Sequence, residues 1–228
     1  MRRCFPLVFG LFLSGLAVPA ARACELALVL AVDVSGSVDN MEFRIQMQGI
    51  ADGLRDPYVS AALVEAEAAV TVLQWTGSNR QSVTLPWRRV GTPAELFTFA
   101  EEVAQAPRRW RNFSTAIGEA LLFSAGQFAG VPDCKRRVID VSGDGSSNEG
   151  VEPRDVHGEI SKLDVTVNAI VIEGAEPDLT RYFRNNVISG AGAFVITAES
   201  FDDYPQRMRL KLQREVSIPI AQNHGKQH

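Results

Sequence analysis

Mostly apolar runs of four to nine residues alternate along this chain with longer segments in which apolar residues recur at helical spacing. The short runs predict six strands, which lie at 26–32, 68–75, 81–87, 137–141, 164–172 and 193–196. The longer segments predict helices, which lie at 39–55, 92–106, 115–128, from Pro153 onward, at 178–187 and at 200–216.

This alternation of strands and helices predicts an α/β fold, a doubly wound sheet with helices on both faces. Only the runs at 68–75 and 81–87 are joined without a helix, through the turn residues Gly77, Ser78 and Asn79. They predict a hairpin, so one edge strand should be antiparallel in an otherwise parallel six-stranded sheet.

Asp33, Ser35 and Ser37 directly follow the first predicted strand, which contains no polar residue between positions 26 and 32. Such a strand is typically buried on both faces, and doubly wound folds bind ligands at its carboxyl end. One carboxylate and two hydroxyls at alternate positions offer the hard oxygen ligands that a divalent cation prefers. The same residue types also cap helices, so the motif alone leaves a cation site and helix capping as alternatives.

Two further loops should lie at the same edge of the sheet. Residues 112–115 precede an apolar helix, and the Ser-Gly-Asp-Gly sequence at 142–145 follows the strand at 137–141. Because the carboxyl ends of parallel strands meet at one edge, the three loops would bring together two carboxylates and at least three hydroxyls.

The first 23 residues have the pattern of a secretory signal peptide. Arg2 and Arg3 precede an apolar stretch at 5–18, and the Ala-Arg-Ala sequence at 21–23 offers a cleavage site. The apolar stretch is short for a membrane span, and no later segment has the ~20 apolar residues that a span needs. We therefore predict an exported protein, in the periplasm or outside the cell.

The mature chain should form one domain at 24–220, followed by a polar tail at 221–228. The predicted signal holds three of the 23 basic residues and none of the 27 acidic ones, which leaves a net charge of −7. A negative surface argues against nucleic acid and anionic membranes as partners, and we expect a monomer.

Cys24 and Cys134 are the two cysteines that remain after cleavage. Each lies just before a predicted strand, so both lie at the lower edge of the sheet if those strands are parallel neighbours. In an exported protein this arrangement predicts a Cys24–Cys134 disulfide. Lipid attachment at Cys24 is an alternative that Arg22 fits poorly.

The three polar loops resemble those of the von Willebrand factor type A domain. Asp33, Ser35 and Ser37 match the Asp-x-Ser-x-Ser element of its metal-ion-dependent adhesion site. The helix from Thr115 resembles the threonine segment of the family, and Val-Ile-Asp-Val-Ser-Gly-Asp-Gly at 138–145 resembles its last element, with Asp144 as the distant aspartate. The resemblance covers essentially the whole mature chain, and it is closest to an exported bacterial group whose function is not established.

The resemblance implies a metal centre formed by Asp33, Ser35, Ser37, Thr115 and Asp144. Mg²⁺ is the expected cation, and Mn²⁺ and Ca²⁺ suit the same oxygen ligands. In the family, a cation with few direct anionic ligands stays electrophilic and takes a carboxylate from a partner. We therefore expect a metal-dependent binding module for an acidic group of a protein ligand.

Several residues depart from the family pattern or lie beside it. Gly143 stands where the family commonly has Thr, which could loosen the placement of Asp144. Asp140 lies within a predicted strand, where a buried carboxylate needs a partner or a raised pKa. Its alternative roles are a structural hydrogen bond to a neighbouring loop and support of the metal centre.

Ser114 is expected to cap a helix. Arg108, Arg109 and Arg111 form a basic run, read either as a solvated loop or as a rim that steers an acidic partner.

Two other functions stay open at this point. The same oxygens could serve a metal-assisted hydrolase or phosphatase-like enzyme, for which Asp140, Glu149 and His157 are the nearby acid–base candidates, although none has a recognisable spacing. The fold could also be a metal-free interaction domain. The absence of a nucleotide-binding or nucleophile motif favours a binding module, so we predict no enzymatic activity.

Overall fold

The computed structural model describes residues 23–174 and 176–224, with side chains up to Ser217 in the last helix. All six predicted strands are present: β1 Leu26–Asp33, β2 Ala69–Trp75, β3 Gln81–Arg89, β4 Arg136–Gly143, β5 Val165–Ile172 and β6 Val195–Ala198. The described residues also form α-helices α1 Asn40–Arg55, α2 Pro57–Glu65, α3 Pro93–Gln105, α4 Ile117–Gly126, α5 His157–Lys162, α6 Leu179–Asn186 and α7 Tyr204–His224. The predicted signal peptide, apart from Ala23, lies outside the described residues.

The strands form one sheet in the order β3-β2-β1-β4-β5-β6. All neighbouring pairs are parallel except β2 and β3, which are antiparallel. This arrangement confirms the predicted doubly wound, mostly parallel sheet with one antiparallel edge strand. Since β1 and β4 are neighbours, the residues that follow Asp33 and Gly143 meet at the carboxyl edge of the sheet.

The sheet separates two hydrophobic cores. Alternate residues of β1 point to opposite faces, so Leu28 and Leu30 belong to one core and Val29 to the other. Helices α1, α2, α3 and α7 cover the first face, and α4, α5 and α6 cover the second. Burial on both faces explains why β1 reads as an uninterrupted apolar run.

The predicted disulfide joins Cys24 and Cys134 at the amino edge of the sheet. The backbone beside it is also paired, because Lys135 N donates to the Cys24 carbonyl at 3.0 Å. The disulfide therefore links the start of β1 to the start of β4, at the opposite end of these strands from the polar loops.

Side chains cap the starts of several helices. Asp39 and Thr92 each cap a helix in a capping box, in which a glutamate three residues later bonds back to the cap residue. Helix α2 was not predicted, although Asp56 caps it and Pro57 occupies its first turn. Helix α7 extends to His224, into the predicted polar tail, whose last residues, 225–228, lie outside the described part of the chain.

Asp178 precedes α6 but does not cap it through its side chain. Asp178 has a left-handed backbone with φ of 62° and makes no capping hydrogen bond. Its carboxylate instead accepts a hydrogen bond from Arg181, while the Glu173 carboxylate accepts one from Thr180 N at 2.9 Å. A carboxylate from the end of β5 thus takes the place of the local cap.

Candidate metal centre

Asp33 ends β1 and is fully buried. One of its carboxylate oxygens, Oδ1, accepts a hydrogen bond from Ser35 N at 2.7 Å, which folds the loop back over the strand end. The other, Oδ2, is buried without a hydrogen-bond partner among the described residues. A buried carboxylate oxygen without a partner is costly, so this atom is available to a cation.

The two serines connect Asp33 to Asp144. Ser35 Oγ and Ser37 Oγ lie 3.1 Å apart, and Ser37 Oγ donates to Asp144 Oδ1 at 2.7 Å. Ser35 and Asp144 are buried, whereas Ser37 is exposed to solvent. The structure thus brings four of the five predicted ligands into one cluster that opens to solvent at Ser37.

The cluster carries two carboxyl groups at short range. Burial and the nearby Asp144 raise the pKa of Asp33 from 3.8 to about 8, against the opposing hydrogen bond from Ser35. Burial also raises the pKa of Asp144, and the hydrogen bond from Ser37 opposes that shift. Both directions indicate a site in which negative charge lacks compensation, which a divalent cation would supply.

Thr115 is buried in the second loop, where Asn148 holds its backbone on both sides. Thr115 N donates to Asn148 Oδ1 at 2.9 Å, and Asn148 N donates to the Thr115 carbonyl at 2.9 Å. This loop contacts the first one, because Gly36 N donates to the Phe113 carbonyl at 2.8 Å. Among the described residues, the hydrogen bonds that join the other four predicted ligands do not include Thr115.

The loop of Asp144 is held firmly despite the glycine before it. A Cβ atom at Gly143 would lie 3.1 Å from the Phe183 ring and 3.5 Å from Asp33 Oδ2, so the glycine permits close packing of β4 against Asp33 and α6. Beyond Asp144, Ser146 N donates to the Glu176 carboxylate at 2.8 Å. These contacts from neighbouring elements oppose the loosening expected from Gly143.

Two expectations about neighbouring residues also need correction. Ser114 does not cap α4: Ala116 precedes the helix without a capping side chain, and Ser147 Oγ accepts from Ile117 N at 3.3 Å instead. Asp140 does not bond to a loop: it forms a buried ion pair with Lys211 of α7. Neither partner is near in sequence, so local pattern could not reveal them.

Gln46 and Asn148 support the cluster and were not predicted. Gln46 Nε2 donates to the Asp33 carbonyl at 3.2 Å, and Ser142 Oγ donates to Gln46 Oε1 at 3.1 Å, so this glutamine joins the ends of β1 and β4. A signal for Gln46 was present, because it lies on the apolar face of α1 beside Met47. A polar residue on a core-facing helical stripe indicates a buried partner.

An open cavity of about 450 Å³ lies beside the cluster. It borders Ser37 and Asp144, and its wall is completed mainly by α1 and the segment after β6. The apolar side chains of that wall are Met41, Ile45, Ile172 and Phe201. The cavity gives a group from another molecule access to the solvent-facing side of the cluster.

The donor set fits a hard divalent cation. Two carboxylates and two hydroxyls converge, and Asp33 Oδ2 is buried without a partner in the described part of the chain. The described residues contain no cluster of three or more His, Cys, Asp or Glu side chains suited to a metal. A site here must therefore rely on hydroxyl oxygens together with its two carboxylates.

The sequence matches a family model described as "Protein of unknown function (DUF1194)" over residues 23–220. The chain belongs to this family. A comparison with curated proteins finds no match. None of the helices in residues 23–174 and 176–224 combines the length and the apolar character that crossing a membrane requires.

Solved structures share the fold at low sequence identity. Proximal thread matrix protein 1 from the mussel byssus has 17% identity and a TM-score of 0.65 over 83% of this chain and 47% of that one. A structure of the same protein with a zinc-occupied MIDAS motif has 15% identity and a TM-score of 0.62, over 85% and 46%. A von Willebrand factor type A protein from Catenulispora acidiphila has 18% identity and a TM-score of 0.60, over 85% and 43%.

The chain thus spans less than half the length of these solved structures. The likeness shows that the domain has the von Willebrand factor type A fold, as the resemblance of its three loops predicted.

Proposed function

We propose that this protein is an exported, metal-dependent binding module. Asp33, Ser35, Ser37, Thr115 and Asp144 hold a divalent cation, and the cation binds a carboxylate of a protein partner. The observation that carries the proposal is Asp33 Oδ2, which is buried without a hydrogen-bond partner in residues 23–174 and 176–224. It lies beside a second buried carboxyl and two linked hydroxyls.

Mg²⁺ is the cation that we propose. Hydroxyl and carboxylate oxygens suit this hard ion, which keeps octahedral geometry and is usually bound through only one or two protein carboxylates, with waters in its other positions. The zinc-occupied MIDAS motif of the mussel protein supports a divalent cation in this fold, although its identity is only 15%. The hydroxyls add no charge, and if only one of the two carboxylates contacts the ion directly, the centre keeps a positive charge that attracts a further carboxylate.

The cluster opens to solvent at Ser37 and beside the cavity of about 450 Å³, which supports a partner rather than a sealed structural ion. The net charge of −7 expected for the mature chain makes nucleic acid an unsuitable partner. We propose that the ligand is a protein with an accessible Asp or Glu side chain.

A binding role is favoured over an enzymatic one. Two of the three acid–base candidates are engaged elsewhere, because Asp140 is paired with Lys211, and His157 Nε2 lies 3.2 Å from the Val187 carbonyl. Export is supported by the signal pattern at 1–23 and by the Cys24–Cys134 disulfide, which suits an oxidising compartment. We propose that the exported form is a monomer.

Titration calorimetry with MgCl₂ tests the metal centre. Wild-type protein should release or take up heat with a single-site isotherm, and Asp33→Asn should abolish it. Asp39→Asn is the matched control, because Asp39 caps α1 from the same loop and asparagine caps equally well. Asp39→Asn should bind Mg²⁺ as the wild type does. If neither the wild type nor Asp39→Asn binds Mg²⁺, the proposal is contradicted.

A second experiment tests the partner. Immobilised wild-type protein is exposed to an envelope fraction in Mg²⁺ and eluted with EDTA, in parallel with Asp33→Asn. Proteins that elute only from the wild type are then changed at their exposed Asp and Glu residues, one at a time. Binding that survives every such substitution would contradict capture of a carboxylate.

A further inference from the structure

Arg108 lies in the extended segment after α3 and contacts the loop that joins Asp33 to Ser37. Its Nη2 atom donates to the carbonyls of Val34 at 3.1 Å and Ser35 at 3.0 Å. Its Nη1 atom lies 3.5 Å from Asn40 Oδ1, at the start of α1. One guanidinium thus holds two successive carbonyls of the loop and also reaches the helix that follows it.

The backbone of Arg108 is itself fixed from the core. Gln74 of β2 is fully buried, and its side-chain amide bonds the chain on both sides of Arg108. Gln74 Nε2 donates to the Pro107 carbonyl at 2.9 Å, and Arg109 N donates to Gln74 Oε1 at 2.8 Å. The position of the guanidinium is therefore set by a central strand and not by a mobile surface loop.

The three arginines of the basic run have different roles. Arg109 and Arg111 are exposed, and Arg109 lies over the Trp110 ring with its guanidinium carbon 5.2 Å from the ring centre. Arg108 is turned inward, where its guanidinium contacts the loop that joins Asp33 to Ser37. Arg108 is thus engaged with the loop, whereas for Arg109 and Arg111 the solvated loop and the steering rim both stay predictions.

We propose that Arg108 is a positioning residue for the metal centre, which fixes the loop of Ser35 and Ser37 at the spacing that suits a small cation. This inference rests on the proposed function. Its hydrogen bonds to the Val34 and Ser35 carbonyls restrain the backbone from which both serine side chains extend. Both bonds start from Nη2, which lies one bond farther along the side chain than the ammonium of lysine and is held in the guanidinium plane, so lysine does not reproduce the contact.

Ion selectivity distinguishes positioning from simple stabilisation. Mg²⁺ needs oxygens at about 2.0–2.1 Å in near-ideal octahedral geometry, whereas Ca²⁺ accepts about 2.3–2.6 Å and variable geometry. A loop released from Arg108 should lose affinity for Mg²⁺ much more than for Ca²⁺. A general loss of stability would weaken the binding of both ions alike.

Calorimetric titrations with MgCl₂ and CaCl₂ test this inference on wild type, Arg108→Lys and Arg109→Lys. Arg108→Lys keeps the charge and removes the two-carbonyl contact, so its Mg²⁺ affinity should fall about 10- to 100-fold, as is typical when a group behind a metal ligand is changed. Its Ca²⁺ affinity should change much less. Arg109→Lys, the adjacent exposed control, should bind both ions as the wild type does.

Arg108→Met supplies a second variant and separates charge from position. Loss of the positive charge alone would tighten cation binding, so Mg²⁺ affinity above that of wild type would overturn the inference. Unchanged Mg²⁺ affinity in Arg108→Lys, or an equal loss for Mg²⁺ and Ca²⁺, would also overturn it. Failure of the wild type itself to bind Mg²⁺ would overturn the proposed function and this inference together, whereas the other outcomes leave the proposed function standing.

Discussion

Ser37 Oγ donates a 2.7 Å hydrogen bond to Asp144 Oδ1, across 107 residues of sequence. The bond joins the loop after β1 to the loop after β4, the two strands that are neighbours at the middle of the sheet. Ser37 is exposed while Asp144 is buried, so this contact is where the carboxyl cluster meets solvent.

Ser37→Ala should weaken Mg²⁺ binding with little effect on folding. The substitution removes an oxygen ligand and a hydrogen bond to a carboxylate, and we expect an affinity loss of about tenfold or more, equivalent to at least ~1.4 kcal/mol. The free energy of unfolding without metal should fall by only about 0.5–1.5 kcal/mol. Calorimetry and urea unfolding measure the two quantities.

Ser146→Ala is the matched control for this change. Ser146 lies in the loop of Asp144 and contributes its backbone N–H, which donates to Glu176 and is unaffected by the substitution. Equal Mg²⁺ affinities in the wild type and both alanine variants would remove Ser37 from the proposed ligand set.

Two glycines of α4 offer a paired test of loop placement. A Cβ atom at Gly118 would lie 2.2 Å from the Val151 carbonyl oxygen, whereas one at Gly126 would meet nothing within 4 Å. Gly118→Ala should therefore cost about 1–3 kcal/mol of stability by overpacking against backbone. Gly126→Ala should be neutral or add up to about 1 kcal/mol, because alanine favours the helix.

The same pair should separate in Mg²⁺ affinity. Displacement of the backbone at Val151 moves the segment that includes Asn148, which holds Thr115 on both sides. Calorimetry should find weaker Mg²⁺ binding in Gly118→Ala and unchanged binding in Gly126→Ala. An unchanged affinity in Gly118→Ala, with the protein folded, would argue that Thr115 is not a ligand.

Local patterns were sufficient to predict most of the sheet and four residues of the cluster. The apolar run before Asp33 and the similar run before Asp144 indicated buried parallel strands, and parallel strands bring their carboxyl ends together. The hairpin of β2 and β3 also followed from the turn residues between two apolar runs. These features depend on contacts within a few residues or on the general geometry of a parallel sheet.

The residues that support the cluster could not be predicted in this way. Arg108, Gln46 and Asn148 act through partners that only the folded chain brings near. The basic run at Arg108 looked uniform in sequence, yet Gln74 fixes the backbone around this one arginine and turns it inward. Lys211 likewise has no sequence signal that would connect it to Asp140.

The buried pair of Asp140 and Lys211 should show strong coupling. Lys211→Met leaves the carboxyl group in the core without its cation, which should cost about 3–5 kcal/mol at neutral pH. Adding Asp140→Asn removes the remaining charge at nearly constant volume and should recover most of that loss. Urea unfolding of the two variants measures the effect, and a double variant less stable than Lys211→Met would contradict the ion pair.

The stability of the protein should depend on pH through Asp140. Burial raises its pKa from 3.8 to about 6; the Lys211 cation opposes this shift, and nearby Glu215 adds to it. Because the folded state holds the proton more tightly than the unfolded chain, the stabilisation is fully present below about pH 4. It is lost as pH rises through about 6.

Urea unfolding between pH 4 and pH 8 tests this direction. The double variant Lys211→Met/Asp140→Asn lacks this carboxyl and serves as the reference. From pH 4 to pH 8 the free energy of unfolding of the wild type should fall by about 3 kcal/mol more than that of the reference, mostly between pH 4 and pH 6. In Lys211→Met the decline should continue to higher pH, since the cation that lowers the pKa of Asp140 is gone. Parallel curves for all three proteins would contradict titration of Asp140.

The Cys24–Cys134 disulfide should contribute stability without shaping the metal centre. It closes a loop with a sequence separation of 110, for which chain entropy predicts about 4–5 kcal/mol. Reduction, or Cys24→Ser with Cys134→Ser, should lower the melting temperature, and reductant should have no effect on the serine variant.

Mg²⁺ affinity of the folded serine variant should stay close to that of wild type, because the bridge lies at the amino edge of the sheet and the carboxyl cluster at the other edge. An affinity loss comparable to that of Ser37→Ala would mean that the bridge holds β1 and β4 in the register that the cluster requires.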